Sequence, residues 1–275
     1  MVPRRGGGLV NVASMEIRAR SFDGWADEYE RFRPGYPREL FDRIATAFDL
    51  PAHPAVVDLG AGTGKVSRAM AALGWHVTAV EPGPRMLEEL RRAAATEGVA
   101  VETIEGTAED TGLDDARFDV ATAGEAWHWF DGPRALAEIT RIVKPGGGFA
   151  FFWNVVDEAR SELVAAEREL VAQYGVSGGD IRLPGPRPET AAMVRAAGTF
   201  EEATFIQVPH QVPMTGADYL GFARTKSHLR TAPPEVQNRF LSAFDEMLRN
   251  RGVGPADRIE VPFIVDCWLA RRRTS

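Results

Sequence analysis

Apolar positions in this chain switch between a period of two and a period near 3.6, and the switching is regular from residue 56 to residue 153. Val56, Val57 and Leu59 form a short apolar run that ends in Gly60, Gly62 and Gly64. Val66, Ala69, Met70 and Leu73 then recur at i, i+3, i+4 and i+7, one face of a helix, and Gly74 stops it. His76 to Val80 reads as a second strand. Pro84 opens a helix that turns Met86, Leu90 and Ala93 or Ala94 inward, and Val99, Val101 and Thr103 alternate as a strand. Val120 to Ala123 form another strand, and a helix near Ala135 to Val143 ends at Lys144-Pro145-Gly146. Phe149 to Trp153 is apolar throughout, as suits a central parallel strand buried on both faces. Strand and helix in alternation predict an α/β fold: a parallel sheet, right-handed crossovers and helices on both faces. Ligands of such sheets bind beyond the carboxyl ends of the strands, where the loops after Leu59, Val80, Glu105 and Thr122 open.

The flanks are less regular. Residues 1–15 read as a flexible leader, and residues 16–275 as one domain. Phe22, Trp25, Tyr29 and Phe32 fall on one helical face. Arg33-Pro-Gly-Tyr-Pro37 breaks that helix, and Leu40, Ile44 and Phe48 begin another, giving cap helices over about 20–50. Beyond Asn154, Leu163, Leu170 and Tyr174 stripe a helix, Gly175 to Pro188 is a glycine- and proline-rich loop, and Met193 to Gly198 ends a further helix. Thr204 to Val212 and Ile259 to Leu269 read as the last two strands. Between them Val236, Phe240, Phe244, Met247 and Leu248 mark a strongly amphipathic helix. Residues of about 213–256 thus form a helical insertion, either a wall for a substrate or a simple thickening of the fold.

The glycine spacing separates candidate ligands. A dinucleotide fingerprint is G-x-G-x-x-G, its third glycine admitting close helix packing. Here the run is G-x-G-x-G, and Lys65 stands where that third glycine belongs. Glu81 ends the next strand, at the place of a ribose-binding carboxylate. The alternative for the glycines is an ordinary tight turn.

Asp58-Leu-Gly-Ala-Gly-Thr-Gly64, followed by Val80-Glu81-Pro82, resembles the class I S-adenosylmethionine-dependent methyltransferases. The likeness continues through Gly106-Thr-Ala-Glu-Asp110, Phe118-Asp-Val-Ala-Thr122 and Val143-Lys-Pro-Gly-Gly-Gly148, and covers roughly residues 20 to 154. Glu125-Ala-Trp-His-Trp-Phe-Asp131 is similar to a small-molecule subgroup that includes trans-aconitate methyltransferase-like enzymes. The resemblance implies a Rossmann-like seven-stranded, mostly parallel sheet with an antiparallel last strand. It implies S-adenosylmethionine as cofactor and S-adenosylhomocysteine as product. Carried over residue by residue, the cofactor would meet Asp58, Gly60, Ala61 and Gly62 in the glycine loop, Glu81 and Pro82 at the ribose, and Ala123 beyond the fourth strand. Many relatives carry an acid at the position of Thr107 for the adenine, so Glu109 or the backbone of Ala108 would serve here. Tyr29 and Arg33 would lie near the methionine end, or else the aromatics pack on the sheet and Arg33 is solvated.

Composition narrows the function. The chain is 44% hydrophobic and 26% charged, ordinary for an enzyme with a full core. A formal charge of −7 argues against a nucleic-acid surface. The single Cys267 excludes an internal disulfide, and no apolar run approaches a membrane span, so a cytoplasmic location is expected. His53, His76, His128, His210 and His228 show no metal-ligand spacing, and no G-x-S-x-G elbow is present.

In-line methyl transfer from a sulfonium needs neither metal nor protein nucleophile; alignment and exclusion of water supply the acceleration. Trp127, His128 and Trp129 follow the fourth strand. The aromatic faces would hold a planar substrate or the sulfonium charge, and His128 would be the general base for a hydroxyl or amine acceptor. The other possibility for this segment is plain core. Arg224, on the insertion's first helix with Lys226 beside it, would bind an acidic or hydroxylated substrate or stay solvated. The expected activity is methylation of a small molecule at O, N or C. A fold that keeps S-adenosylmethionine for another reaction, and a nicotinamide-dependent oxidoreductase disfavoured by Lys65, are the alternatives.

Overall fold

A computed structural model describes residues 26–176, 184–186 and 188–274. The leader and the aromatics at 22 and 25 lie outside the described residues, as does part of the loop expected over 175–188. Described elements follow in order: α1 (Ala26–Phe32), α2 (Arg38–Ala47), β1 (Ala55–Leu59), α3 (Lys65–Ala72), β2 (His76–Glu81), α4 (Pro84–Glu97), β3 (Val101–Glu105) and β4 (Phe118–Gly124). After a 3-10 turn at Trp127–Trp129 come α5 (Gly132–Ile142), β5 (Val143–Val156), α6 (Glu162–Gln173) and α7 (Pro188–Ala196). The chain closes with β6 (Thr204–Thr215), α8 (Gly216–Arg224), α9 (Ser227–Arg230), α10 (Pro234–Asn250) and β7 (Arg258–Arg271).

The seven strands form one sheet in the order β3-β2-β1-β4-β5-β7-β6. Neighbours from β3 to β5 are parallel, and β7 runs antiparallel to both β5 and β6. Side-chain alternation along β5 shows why the sequence folds this way. Phe149, Phe151 and Trp153 enter a core with Leu136 and Ile139 of α5. Ala150 and Phe152 face the other way, onto Leu40 and Ile44 of α2 and Met70 of α3.

The last two strands extend further than expected. β6 pairs with β7 as far as Thr215 opposite Arg258, through Pro209 and Pro213. Proline offers no ladder donor, but β6 is the sheet's edge strand, where an outward position needs none. The helical insertion therefore starts at Gly216, where Thr215 and Asp218 form a capping box. Phe240, Phe244 and Met247 of α10 bury with Tyr219 and Phe222 of α8 and Val164 and Val171 of α6, a third core beside the sheet. No helix among the described residues is long and apolar enough to cross a membrane.

Candidate active site

β1 runs out at Leu59, and the next two amides, Gly60 N and Ala61 N, both donate to the Val80 carbonyl at 2.9 and 3.1 Å. This ties the glycine loop to the end of β2. The three glycines share a left-handed φ, of +64°, +57° and +82°, but do different work. A Cβ on Gly60 would stand 2.7 Å from that of Ala126, and one on Gly64 would stand 2.4 Å from Leu90 Cγ of α4. A Cβ on Gly62 would meet nothing within 4 Å. Gly64 is thus the helix-packing glycine, one place before Lys65, whose Nζ donates to the Glu30 carbonyl at 2.6 Å. Gly62 borders open space.

Glu81 closes that space from below. Its Oε2 accepts from Gly62 N and its Oε1 from Gly83 N, both at 2.9 Å. Pro82, between these two amides, is half-buried. Asp58 was expected to touch the cofactor; instead it is buried and turned inward. Ser67 Oγ donates to its Oδ2, and Thr122 Oγ1 to its Oδ1 at 2.8 Å. Burial raises the Asp58 carboxyl to about 6, with the bonds from Ser67 and Thr122 offsetting part of the rise. Its bearing on a ligand is through the loop it braces, because it links β1, α3 and β4.

The loop after β3 brings Thr107, Ala108 and Glu109 to the same edge. Thr107 closes a small bridge with Asp110, and Ala108 is buried against the core. Glu109 Oε1 accepts from Asp131 N at 2.7 Å, at the start of α5. One oxygen of its carboxylate is therefore held by the chain, and buried Ala108 beside it offers backbone. Ala123 is fully buried, so it too offers only backbone.

From above, α1 covers the edge. Arg33 Nη2 donates to the Thr225 carbonyl of the insertion at 2.8 Å. Its guanidinium lies 5.5 Å from the ring centres of both Tyr29 and Phe222. The solvated alternative for Arg33 fails on these contacts. Its Nε is buried without a hydrogen-bond partner among the described residues, and so is Thr63 Oγ1 in the glycine loop. On the other flank of α1, Glu30 pairs with Arg68 at 2.7 Å and Lys65 at 3.4 Å.

The segment after β4 divides its aromatics. Trp127 is buried: it packs on Phe130, Phe149 and Phe151 at 5.9, 5.4 and 5.3 Å between ring centres. His128 is exposed, and Trp129, half-buried, lies 4.7 Å from it ring to ring. Trp153 Nε1 donates to His128 Nδ1 at 3.3 Å. An indole nitrogen only donates, so this bond places the imidazole proton on Nε2. In that tautomer the ring's second nitrogen carries the proton.

Arg224 ends α8 exposed to solvent, whereas Phe222 and Thr225 beside it face Arg33. Lys226 pairs with the buried Glu167, which also accepts from Tyr219 Oη at 2.7 Å.

Four residues of this edge were not singled out from sequence. Glu125 has a left-handed φ of +55°, and its Oε1 accepts from Asn154 N at 2.7 Å. The Asn154 side chain donates to the Gly35 carbonyl at 2.9 Å and accepts from His210 Nε2 at 2.9 Å. Tyr36 packs edge-on to Phe152 at 5.0 Å. The sequence signs of the group were Glu125 at the head of the motif that runs to Asp131 and Asn154, the polar residue that ends the apolar run of β5.

Residues 57–151 match the family model described as a methyltransferase domain. An uncharacterized methyltransferase of Mycobacterium tuberculosis is 32% identical over 255 residues, covering 91% of this chain and 95% of its own length. A solved candidate type II methyltransferase from Anaeromyxobacter dehalogenans superposes with a TM-score of 0.63 at 27% identity, covering 89% of this chain and all of its own. Phosphoethanolamine N-methyltransferase 2 of Haemonchus contortus, solved with phosphomonomethylethanolamine and S-adenosylhomocysteine, has the same fold: TM-score 0.56 at 16% identity, over 96% of this chain and 61% of that one. A glycine loop sealed by a strand-end carboxylate, on a sheet of this order and across nearly the whole length of such relatives, makes this chain a member of the class I S-adenosylmethionine-dependent methyltransferases.

Proposed function

We propose that the protein binds S-adenosylmethionine in the space bordered by Gly62, Glu81 and Arg33 and transfers its methyl group to a small-molecule acceptor. The observation that carries this reading is the open side of Gly62 with unsatisfied donors nearby in the fold. Arg33 Nε and Thr63 Oγ1 lack partners, as groups that await a ligand do. The polar groups fit the cofactor: backbone carbonyls of the glycine loop, whose amides are bound to Val80 and Glu81, for the amino group, Arg33 Nε for the carboxylate, the remaining lone pairs of Glu81 for the ribose hydroxyls, and backbone at Ala108 for the adenine. The H. contortus neighbour, solved with S-adenosylhomocysteine, lends support.

When bound, S-adenosylmethionine supplies an electrophilic methyl group on a positively charged sulfur. The chain's own part is to align and to exclude water. Asp58 holds the glycine loop to β4, so the cofactor loop and the acceptor segment keep one spacing. Tyr29 and Phe222, on either side of Arg33, close the top of the site between α1 and the insertion. His128 in its Nε2–H form donates to an acceptor oxygen or orients the acceptor, and does not remove its proton.

Calorimetry with S-adenosylhomocysteine tests the reading. One site per chain is expected in the wild type, and Gly62→Val, which fills the open side, should abolish it. A wild-type protein that binds neither S-adenosylhomocysteine nor S-adenosylmethionine refutes the proposal.

A further inference from the structure

We propose that Glu125 and Tyr36 form the polar end of the acceptor subsite and select an acceptor bearing an amine or a hydroxyl over one bearing a carboxylate. The proposal rests on the methyl-transfer reading above and names the substrate class for it.

Glu125 directly follows β4 and is held by two bonds across to β5. Its N–H donates to the Phe152 carbonyl at 2.8 Å, and Oε1 accepts from Asn154 N at 2.7 Å. Its φ of +55° is a conformation that a side chain of this kind seldom adopts. Such strain persists where the surroundings over-determine it, and it clusters at ligand-binding positions. Next in the chain, Ala126 bears on Gly60, so the strained residue sits beside the cofactor loop.

Tyr36 reaches the same point from the cap. A Cβ on Gly124 would stand 2.7 Å from Val66 Cγ2, 2.9 Å from Phe152 Cε2 and 3.1 Å from the Tyr36 hydroxyl, so the phenol lies against the backbone that leads into Glu125. The Tyr36 hydroxyl makes no hydrogen bond to another described residue. Burial first, and then the Glu125 charge, raise its pKa well above the ordinary value, so it remains a neutral donor. The Glu125 charge is felt at Tyr29 as well.

Neither Arg33, which the reading above gives to the cofactor's carboxylate, nor Lys226 is left for the acceptor. Arg33 is held by the Thr225 carbonyl between two rings, and Lys226 by Glu167. The acceptor end is thus an anion and a phenol, flanked by aromatic faces. A carboxylate brought there meets like charge. A hydroxyl instead donates its hydrogen to Glu125 and accepts from Tyr36 Oη with one of its two lone pairs, whereas a neutral amine donates one N–H to Glu125 and another to Tyr36 Oη and keeps its single lone pair. Fixing that hydrogen leaves a lone pair free to face the methyl carbon. As this pair forms the new C–N or C–O bond, the C–S bond breaks with its electrons remaining on sulfur, and the acceptor's proton passes to the Glu125 carboxylate.

Three probes with one ring and different heads test this: 2-phenylethylamine, 2-phenylethanol and phenylacetate, titrated into protein saturated with S-adenosylhomocysteine. The amine and the alcohol should bind at least about tenfold more tightly than phenylacetate. Glu125→Gln keeps the acceptor oxygen for Asn154 N and should erase the preference, with S-adenosylhomocysteine affinity unchanged. Glu125→Gly, free of the φ strain, should do the same if the glutamine variant folds poorly. Tight phenylacetate binding, a preference that survives both variants, or no binding of any probe overturns the assignment. Failure of the wild type to bind S-adenosylhomocysteine would instead strike the methyl-transfer reading itself.

Discussion

Glu81 serves two masters, and replacing it with alanine separates them. In the structure its two oxygens receive the Gly62 and Gly83 amides, both at 2.9 Å, and it is only 7% exposed. Glu81→Ala leaves two largely buried N–H groups without a partner, at roughly 1–3 kcal/mol each where water cannot reach. The cavity left by the side chain admits water to one or both, so a net loss of about 2 kcal/mol is expected, read from urea unfolding without ligand. A domain of ordinary stability survives this folded. Binding is affected separately. Losing charge-assisted bonds from the ribose hydroxyls removes roughly 1.5–3 kcal/mol, a weakening on the order of tenfold to a hundredfold for S-adenosylhomocysteine by calorimetry. Lowered stability with unchanged affinity would refute the ribose role and leave Glu81 a brace for the loop.

Two further outcomes follow from the same geometry. Gly64→Ala should destabilise by about 2–5 kcal/mol, from the left-handed φ and from a Cβ 2.4 Å from Leu90 Cγ; Gly62→Ala, with the same hand of φ and open space, should lose only about 1–2 kcal/mol, and equal losses would contradict the division of labour. Asp58 titrates at about 6 when folded against an ordinary 3.8, so the folded state holds the extra proton between those values. Its contribution to stability is full below pH 4 and is lost as pH rises through 6, by up to about 3 kcal/mol. Asp58→Asn should therefore gain on the wild type in urea unfolding as pH goes from 4 to 7, and a difference that stays flat would refute the buried-charge account.

The sheet was legible where burial on both faces leaves an uninterrupted apolar run, as at Phe149 to Trp153, and where glycines punctuate, as at 60 to 64. Edge-strand prolines hid the end of β6, because a proline reads as a break until its strand is known to lack an outer neighbour. The aromatic trio divides for a geometric reason. In a 3-10 turn successive side chains fan around the axis, so Trp127 enters the core while His128 leaves it, and composition does not distinguish them. Lys226 looked available because its partner, Glu167, lies 59 residues away. Tyr36, Glu125, Asn154 and His210 come from four separate stretches and share no local period. Only the sheet order, which sets β4 beside β5 and folds the cap across both, gathers them.

The contact between Gly60 and Ala126 also bears on redesign. A side chain at 60 would press its Cβ to 2.7 Å from that of Ala126 and 3.3 Å from the Phe130 ring, so the two loops would have to move apart. Libraries aimed at a new acceptor range should therefore hold 60, 126, 127 and 130 fixed. On the proposed reading, diversity belongs at 128 and 129, exposed and half-buried, while 125 tolerates only residues that suit its left-handed φ.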